Sequence, residues 1–264
     1  MFPRIIIKEL KSVNLEGGYL IDGFPSVGFS SAIATESIIH TSQFELVGII
    51  DSPSFPPISI IKDGKPNYPT RIFVNEDLKV GVFLSYLTLD QTLHKAAAKT
   101  MLKWAEKHKI GLIVSSVAVK SQDGSEAVKG IGNSDSARAK IKAAGLEILD
   151  HGTIPGIPAR LLNEGTMSGQ DVIVIIFYTD GKGPDFKSSV QICNAMSKLI
   201  PGVSCNVSLL EKQAEKAEAI MKETEKESIK EIKKLAIKKK EQKELIVEEM
   251  KLKGKAKQVL IRDQ

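Results

Sequence analysis

The stretch Tyr19–Ile39, YLIDGFPSVGFSSAIATESII, indicates the fold class of this chain. Its apolar start predicts a β-strand, residues Asp22–Gly28 form a short loop rich in Gly and Pro, and a helix is predicted directly after Gly28. A strand, a tight loop and a helix N-terminus together form the place where an α/β sheet has its binding crevice. This loop is therefore the first candidate for the working surface of the protein.

Strand and helix patterns alternate along most of the chain. Val172–Tyr178 is the most apolar run, which predicts a strand buried on both faces, and Gln91–Lys109 has apolar residues at helical spacing. The prolines of residues 52–69 disfavour a helix or a central strand, and Ile58–Ile61, Asp63-Gly64 and Thr70–Val74 predict an edge hairpin or an excursion from the sheet. The polar, Gly-rich residues 120–135 predict a surface loop. We therefore predict a three-layer αβα domain with a mostly parallel sheet over residues 1–204.

Residues 205–264 have a different character. They contain no Pro after Val207, and apolar residues recur at heptad-like spacing with one slip of register. This pattern predicts a long charged helix from about Val207 to Lys253, whose narrow apolar stripe packs as a coiled coil on its own body, on another copy or on a different protein. The residues predicted to mediate self-association are Leu210, Ala214, Ala217, Met221, Ile229 and Ile232.

The charge of the chain is concentrated in this tail. The net charge is +5, and residues 211–264 hold 16 Lys and Arg against 12 Asp and Glu. Acidic residues are interleaved with the basic ones, which favours a solvated helix over a nucleic-acid site. Aromatic residues make up 5% of the chain, too few for a surface that stacks bases. We therefore expect no nucleic-acid partner.

The two cysteines, Cys193 and Cys205, do not form a Cys-x-x-Cys pair. Two such residues do not predict a disulfide framework, and Cys193 lies among apolar residues of a predicted helix, which indicates burial. No apolar run approaches the roughly 20 residues of a membrane helix, and the N-terminus lacks a signal core. We expect a cytoplasmic protein with reduced thiols and no membrane partner.

The loop after the first strand has two interpretations. Backbone N–H groups near Val27–Phe29 could hold an anion at the helix N-terminus. The loop has neither the Gly-Lys-Ser/Thr of a P-loop nor G-x-G-x-x-G, so it could equally be a tight turn in which Gly28 permits close packing. A second Gly-rich segment, Gly130–Ser136, is predicted to be a capped surface loop rather than a dinucleotide site.

Other candidate catalytic residues are scattered. The four histidines, at positions 40, 94, 108 and 151, lie far apart, so we predict no metal site and no cofactor. His151 beside Asp150 is the most suggestive of them. Asp180 and Asp185 follow the most buried strand, at the edge where α/β proteins bind ligands, although Asp185 also suits the first turn of a helix. No catalytic constellation emerges.

The motifs, taken in order, resemble the PAC2 family of proteasome assembly chaperones in its archaeal form, over about residues 15–225. The quoted motifs are Gly23-Phe24-Pro25-x-x-Gly28, Phe55-Pro56-Pro57, Gly64-x-Pro66, Gly152-x-Ile154-x-Gly156-Ile157-Pro158-Ala159-x-Leu161-Leu162 and Pro184-Asp185. The resemblance implies an αβα fold similar to that of nucleoside-phosphorylase-like enzymes, without established catalysis. The implied role is binding of proteasome α-type subunits or related partners.

The resemblance and the loops give one set of candidate binding residues. They are Gly23, Phe24, Pro25, Gly28, Gly156, Asp180 and Asp185. Some archaeal family members end in a hydrophobic–Tyr–any-residue tail that inserts between proteasome α-subunits. This chain ends in Ile261-Arg262-Asp263-Gln264 without a penultimate Tyr, so we do not expect that docking mode.

The predicted function is that of a non-catalytic assembly chaperone that works as a homo-oligomer. It rests on the family-like motifs, the missing catalytic constellation and the heptad-like tail. The alternative is a phosphorylase- or hydrolase-like enzyme, or a small-ligand binder, that uses the loop at residues 22–28.

Overall fold

The computed structural model of this chain describes residues 4–25, 29–120, 128–179 and 186–206, together with single positions between 208 and 230. The strands are β1 Ile6–Glu9, β2 Tyr19–Gly23, β3 Glu45–Asp51, β4 Ile60–Lys62, β5 Lys65–Asn67, β6 Thr70–Asn75, β7 Val80–Ser85, β8 Leu112–Lys120, β9 Lys129–Gly132, β10 Glu147–Ile148 and β11 Val172–Thr179. The helices are α1 Ser30–Thr41, α2 Gln91–Lys107, α3 Asp135–Ala143, α4 Gly156–Ser168 and α5 Phe186–Leu199.

Nine strands form one mixed sheet in the order β1-β3-β6-β7-β2-β8-β11-β9-β10. The four central strands, β7, β2, β8 and β11, are parallel to one another. The pairings β1–β3, β3–β6, β6–β7 and β9–β11 are antiparallel. The prediction of a mostly parallel sheet is therefore confirmed only for the centre and for β9–β10 at one edge, and it is wrong for these four antiparallel pairings. β6 and β7 show the reason, because a short turn at residues 76–79 joins them, and only antiparallel strands can be joined so closely.

Helices cover both faces of the sheet, as predicted. Side chains of β8 and β11 alternate between the two faces, so that Val114 and Ile175 belong to one hydrophobic cluster while Ile113 and Val174 belong to the other. Helices α1, α3 and α5 pack into the first cluster, and α2 and α4 pack into the second. β11 is buried almost throughout, which confirms the prediction for the most apolar run.

The predicted surface loop at residues 120–135 is wrong in its second half. Residues 129–132 form β9, which pairs antiparallel with β11 inside the sheet. A Cβ on Gly132 would lie 2.8 Å from the Cβ of Ala137, and one on Gly130 would lie 3.0 Å from Ile141. These glycines therefore let α3 lie flat on the strand, and they do not mark a loop.

The proline-rich segment forms a separate two-stranded sheet, β4–β5, with the predicted hairpin turn at Asp63-Gly64; the predicted second strand is wrong, because Thr70–Asn75 forms β6 of the main sheet. Asp63 and Gly64 both have positive φ, 51° and 71°, which suits the tight turn between two antiparallel strands. Ile60 of this hairpin is buried in the core, whereas Ile61 is 64% exposed. The hairpin is thus attached to the body by one side and open on the other.

The two cysteines form a disulfide, Cys193–Cys205. The prediction that they stay reduced and unpaired is wrong. Cys193 lies in α5, and a turn at Pro201–Gly202 after that helix brings Cys205 back to it, 12 residues later. Such a pairing depends on where the chain turns, which the spacing of two cysteines does not reveal.

The chain divides into two compact units, residues 1–222 and 223–264. In the second unit the described positions have helical backbone, and Lys230 Nζ lies 2.5 Å from Glu227 Oε1. The predicted boundary at 204 and the predicted long helix stay predictions. In the described part of the chain, no helix combines the length and the apolar character needed to cross a membrane.

Candidate functional site

The carboxyl ends of the four central strands share one edge of the sheet because these strands are parallel. At this edge β2 is flanked by β7 on one side and β8 on the other, and the connection from β7 to β8 crosses β2 through α2. Ligands of open α/β sheets bind where connections diverge in this way. The predicted loop after β2 therefore starts at the expected place in the fold.

Three predicted candidates lie outside the described residues. They are Gly28, which follows β2, and Asp180 and Asp185, which follow β11. Their roles stay predictions.

Asp22 is the buried carboxylate of this edge, with 3% of the residue exposed. Its Oδ2 accepts a hydrogen bond of 2.6 Å from the Ser115 hydroxyl on β8, and its Oδ1 accepts one of 3.0 Å from the Phe24 N–H. Burial raises the pKa of Asp22 to about 6, although both hydrogen bonds favour the charged form. The carboxyl of Asp22 therefore changes its charge at a pH close to neutral, as titratable groups at functional sites often do.

The residues that follow Asp22 shape a tight turn. A Cβ on Gly23 would lie 2.6 Å from the Phe83 carbonyl oxygen and 2.7 Å from Thr35 Cγ2, so β2 and α1 approach as closely as a glycine allows. Phe24 is 5% exposed and packs in the core, and Pro25 is half-buried. Of the predicted candidates in this turn, Gly23 and Phe24 are packing residues, and only Pro25 is partly exposed.

After residues 26–28, which the structure does not describe, the chain resumes at Phe29, the residue directly before α1, and the backbone there is strained. Phe29 has φ 54° and ψ 6°, a left-handed conformation that non-glycine residues seldom adopt. In the first turn of the helix, Ser31 is hydrogen-bonded to Ser116 of β8, with 2.8 Å between their oxygens. Strained backbone is common at functional sites, and this feature is compatible with a site at this edge without identifying one, because Gln43, Asp63, Lys79 and Lys109 have the same positive φ elsewhere in the chain.

Gly156 lies at the first position of α4, with φ 78°, and it is half-buried. The next residues of the helix, Ile157 and Leu161, pack in the same hydrophobic cluster as Phe24. The beginning of α4 and the turn after β2 thus belong to the same face of the sheet. This brings two of the sequence-predicted segments onto one side of the molecule.

A second buried carboxylate, Glu36, lies on α1 with 7% of the residue exposed. Its Oε1 is 3.1 Å from Lys62 Nζ of the β4–β5 hairpin and 3.6 Å from His40 Nε2. Burial opposes the charge of Glu36, but the contact with His40, the Lys62 charge and the Tyr86 hydroxyl outweigh it and lower its pKa to about 2. The ion pair therefore fastens the hairpin to α1.

Tyr86 and Arg71 extend this cluster below the hairpin. Burial and the neighbouring Glu36 charge raise the pKa of Tyr86 well above its usual value, so its hydroxyl stays protonated and donates to Glu36. The Arg71 guanidinium lies 5.1 Å from the Phe73 ring centre and 5.9 Å from that of Tyr86, and its Nη1 donates to Asn67 Oδ1 at 3.2 Å. The cluster thus surrounds the buried charges of Glu36 and Arg71 with polar and aromatic partners inside the protein.

The histidines serve structural contacts. His108 stacks on Trp104 with ring centres 4.4 Å apart, and its Nε2 lies 2.8 Å from Glu9 Oε1. His151 and Asp150 are both exposed, and no ion pair joins them. Within the described ranges, no group of His, Cys, Asp or Glu is arranged to hold a metal ion.

The predicted self-association residues have different environments. Leu210 is fully buried and packs in the core cluster of α1 and α5, so its side chain is used inside the body. Ile229 is 51% exposed. Ala214, Ala217, Met221 and Ile232 lie outside the described residues. Self-association through the tail stays a prediction.

Sequence reasoning did not find the cluster of Glu36, Lys62, Tyr86 and Arg71. These residues come from three separate elements and the loop after β7, and they share no spacing. The signal in the sequence was a single charged residue within a run of apolar or small residues, as at Glu36 in ATESII and Arg71 in TRIFV. A buried charge needs a partner, but the sequence does not say which one.

Comparison with known proteins gives one family. Residues 20–225 match the sequence model of the PAC2 family. A search of curated proteins gives no significant match.

Several solved structures share the fold. PbaA from Pyrococcus furiosus, an archaeal homolog of proteasome-assembly chaperone, is 24% identical, covers 86% of this chain and 100% of its own, and has a TM-score of 0.73. A protein of unknown function from Thermoplasma acidophilum is 22% identical, with 86% and 92% covered and a TM-score of 0.71. PbaB from Pyrococcus furiosus, an archaeal proteasome activator, is 16% identical, with 84% and 99% covered and a TM-score of 0.66.

Proposed function

Since the chain belongs to the PAC2 family, we propose that it is a proteasome assembly chaperone-like protein that binds protein partners as a homo-oligomer. The proposed partners are proteasome α-type subunits or related clients. The family match over residues 20–225 carries this proposal because it spans most of the described structure. The similarity in fold to a proteasome-assembly chaperone homolog and to a proteasome activator agrees with it.

We propose the carboxyl edge of the sheet as the face that meets the partner. Both oxygens of Asp22 already accept hydrogen bonds from Ser115 and Phe24, which favours a structural role over attack on a substrate. Gly156 and Pro25 are both half-buried at this edge, so part of each is accessible to a partner. With Gly28, Asp180 and Asp185, which follow β2 and β11, they make up the candidate binding face.

Co-purification with proteasome α-subunits of the same species tests the proposal. Gly156→Arg adds a long charged side chain to the proposed face, and we expect it to remove most of the bound α-subunits. Gly169→Arg is a matched control, because Gly169 is accessible to solvent, has φ 75° against 78°, and lies at the other end of α4. If the unchanged protein retains no α-subunits, the client assignment is wrong.

The proposed homo-oligomer is tested by removing the second unit. A chain that ends at Lys222 keeps Leu210 and the disulfide, which belong to the body. If the tail mediates self-association, light scattering should give the mass of a monomer for this chain and a multiple for the full chain. Circular dichroism controls for folding, and an unchanged subunit number would contradict a role of residues 223–264.

A second candidate function is small-ligand binding, or phosphorylase- or hydrolase-like catalysis, at residues 22–28. The pKa of about 6 at Asp22 and the strained Phe29 favour it. Nucleosides and phosphate in a thermal-shift screen test it, with Asp22→Asn as the comparison. A shift that appears in the unchanged protein and disappears in Asp22→Asn would support this function over partner binding alone.

We propose that the protein acts in the cytoplasm, and the disulfide provides a test of this location. Most cytoplasmic proteins lack stable disulfides, with hyperthermophiles as the known exception. Alkylation of free thiols in the source cells before purification, followed by mass spectrometry, shows whether Cys193 and Cys205 are paired there.

A further inference from the structure

The strand β1 lies at one end of the nine-stranded sheet, and its outer edge has no neighbouring strand among the described residues. Its inner edge pairs antiparallel with β3, where the Leu10 N–H donates to the Val47 carbonyl oxygen at 2.8 Å. In an antiparallel pair, the backbone groups of alternate residues face the partner strand. The N–H and C=O groups of Ile7 and Glu9 consequently point away from the sheet.

The side chains of β1 divide sharply between its two faces. On one face Ile7 packs against the core of α2 and α4. The other face carries Ile6 and Lys8, with Arg4 and Leu10 at the same alternate positions just beyond the two ends of β1; all four are exposed, with 45% of Ile6 and 52% of Leu10 accessible. A cation and an apolar residue thus alternate along the exposed face.

Helix α2 holds this edge in a fixed position. Glu9 Oε1 accepts a hydrogen bond of 2.9 Å from Trp104 Nε1 and lies 2.8 Å from His108 Nε2, while its Oε2 pairs with Lys107. The strand is therefore ordered before any partner arrives, which lowers the entropic cost of binding. The Glu9 side chain is used for this anchoring, whereas its backbone groups still point outward.

We propose that the outer edge of β1 accepts an extended segment of a partner protein as an additional strand, and that acidic and apolar residues alternate at every second position of this segment, so that both lie on one face. The acidic residues would lie beside Arg4 and Lys8, and the apolar residues beside Ile6 and Leu10. In the described part of the chain neither cation has an ion-pair partner, so their charge favours an acidic neighbour. The inference rests on the proposed function, since it gives the chemistry of one segment of the protein partner.

A second copy of the chain is a poorer occupant. The exposed face that holds Arg4 and Lys8 contains no carboxylate, so an antiparallel pair of two β1 strands, which keeps the same face outward on both copies, places no acid beside Lys8. A lysine on an exposed edge strand is a common way in which proteins prevent pairing with themselves. The same lysine attracts a segment of the opposite charge.

Two synthetic peptides test the proposal on the full chain. One has the sequence Glu-Thr-Val-Thr-Glu-Thr-Val-Thr, and the other has Lys in place of Glu. We expect the acidic peptide to bind about tenfold more tightly, the effect of roughly two exposed ion pairs. Fluorescence anisotropy measures the affinities, and the amide NMR signals of Ile7 and Glu9 should shift with the acidic peptide.

Variants of β1 make the test specific. Lys8→Glu should weaken the acidic peptide and strengthen the basic one, whereas Lys65→Glu, the same change on an exposed residue of β5, should alter neither. Ile7→Pro removes an outward N–H without breaking a bond to β3, so it should weaken binding at least tenfold, while Ile7→Val should retain it. Should Ile7→Pro not fold, the Lys8→Glu result still decides.

Three results would overturn the proposal. The first is equal binding of the two peptides, and the second is an unchanged preference in Lys8→Glu. The third is a dimer in sedimentation that Ile7→Pro dissociates, since a second copy would then occupy the edge. If neither peptide binds but α-subunits still co-purify with the protein, this inference fails and the proposed function stands.

Discussion

Asp22 and Glu36 are both buried carboxylates, yet their pKa values move in opposite directions. Burial raises the pKa of Asp22 to about 6, and its donors, Ser115 and the Phe24 N–H, are neutral. Glu36 is almost as buried, but its pKa falls to about 2 because His40 and the charge of Lys62 outweigh the burial. The difference shows that a neighbouring cation, and not depth, decides the charge of a buried acid in this protein.

The two acids also differ in what they hold together. Asp22 joins two central strands and fixes the turn after β2, at the edge where α/β sheets bind ligands or partners. Glu36 fastens the β4–β5 hairpin to α1 through Lys62. The charge of Asp22 lowers the stability of the fold at neutral pH, whereas the charge of Glu36 raises it.

The largest effect is expected from Asp22→Asn. A raised pKa means that the folded state binds the proton more tightly, so the stability linked to Asp22 is complete below pH 3.8 and is lost as the pH rises through about 6. The loss amounts to about 3 kcal/mol. Asn carries no charge, so the variant should be more stable by up to that amount at pH 8 and similar at pH 4, in urea unfolding.

The matched control for this change is Asp77→Asn, which makes the same replacement at an exposed position. Its stability should follow that of the unchanged protein from pH 4 to 8. If Asp22→Asn lowers stability at pH 8, the Asp22 carboxylate is held by stronger interactions than its two neutral donors, and the contrast with Glu36 disappears.

A smaller effect is expected from Lys62→Met, which removes the cation beside Glu36. The lowered pKa of Glu36 gives stability that is present above pH 4.5 and lost as the pH falls through about 2. Without Lys62 the pKa of Glu36 should rise, so the loss of stability in acid should begin at a higher pH. We expect a cost of about 2 kcal/mol at pH 7, less than for a fully buried pair because Lys62 is partly exposed.

Acid unfolding followed by circular dichroism measures this change. Lys65→Met, on the exposed side of the same hairpin, is the control and should cost little. If Lys62→Met unfolds over the same acidic pH range as the unchanged protein, His40 and Tyr86 alone keep Glu36 charged.

The strong periodic patterns of the sequence predicted the centre of the fold correctly. The strand and helix around Asp22–Gly28, the helix α2 and the buried strand β11 all exist where runs of apolar residues are long and regular. The predicted site also begins at the right place, because the position of a loop after a central strand follows from the topology.

Interactions between distant residues could not be predicted in this way. Asp22 and Ser115 are 93 residues apart, and Glu36 and Lys62 are 26 apart. No spacing rule connects such pairs, because their meeting depends on the order of the strands and on where a hairpin folds back. The disulfide and the strand β9 were missed for the same reason, since tertiary packing outweighed the local signals.

The smallest effect is expected from Ser115→Ala, which removes the hydroxyl that donates to Asp22. The hydrogen bond stabilises the charged carboxylate, so its loss should raise the pKa of Asp22 further and cost about 1 kcal/mol, more at pH 8 than at pH 4. Carbon-13 NMR of the carboxyl group follows the pKa directly. Ser116→Ala is the closest control, because its hydroxyl bonds to Ser31 on the opposite face of the same strand. If both variants shift the titration of Asp22 equally, the hydroxyls act through the packing of β8 and not through the hydrogen bond.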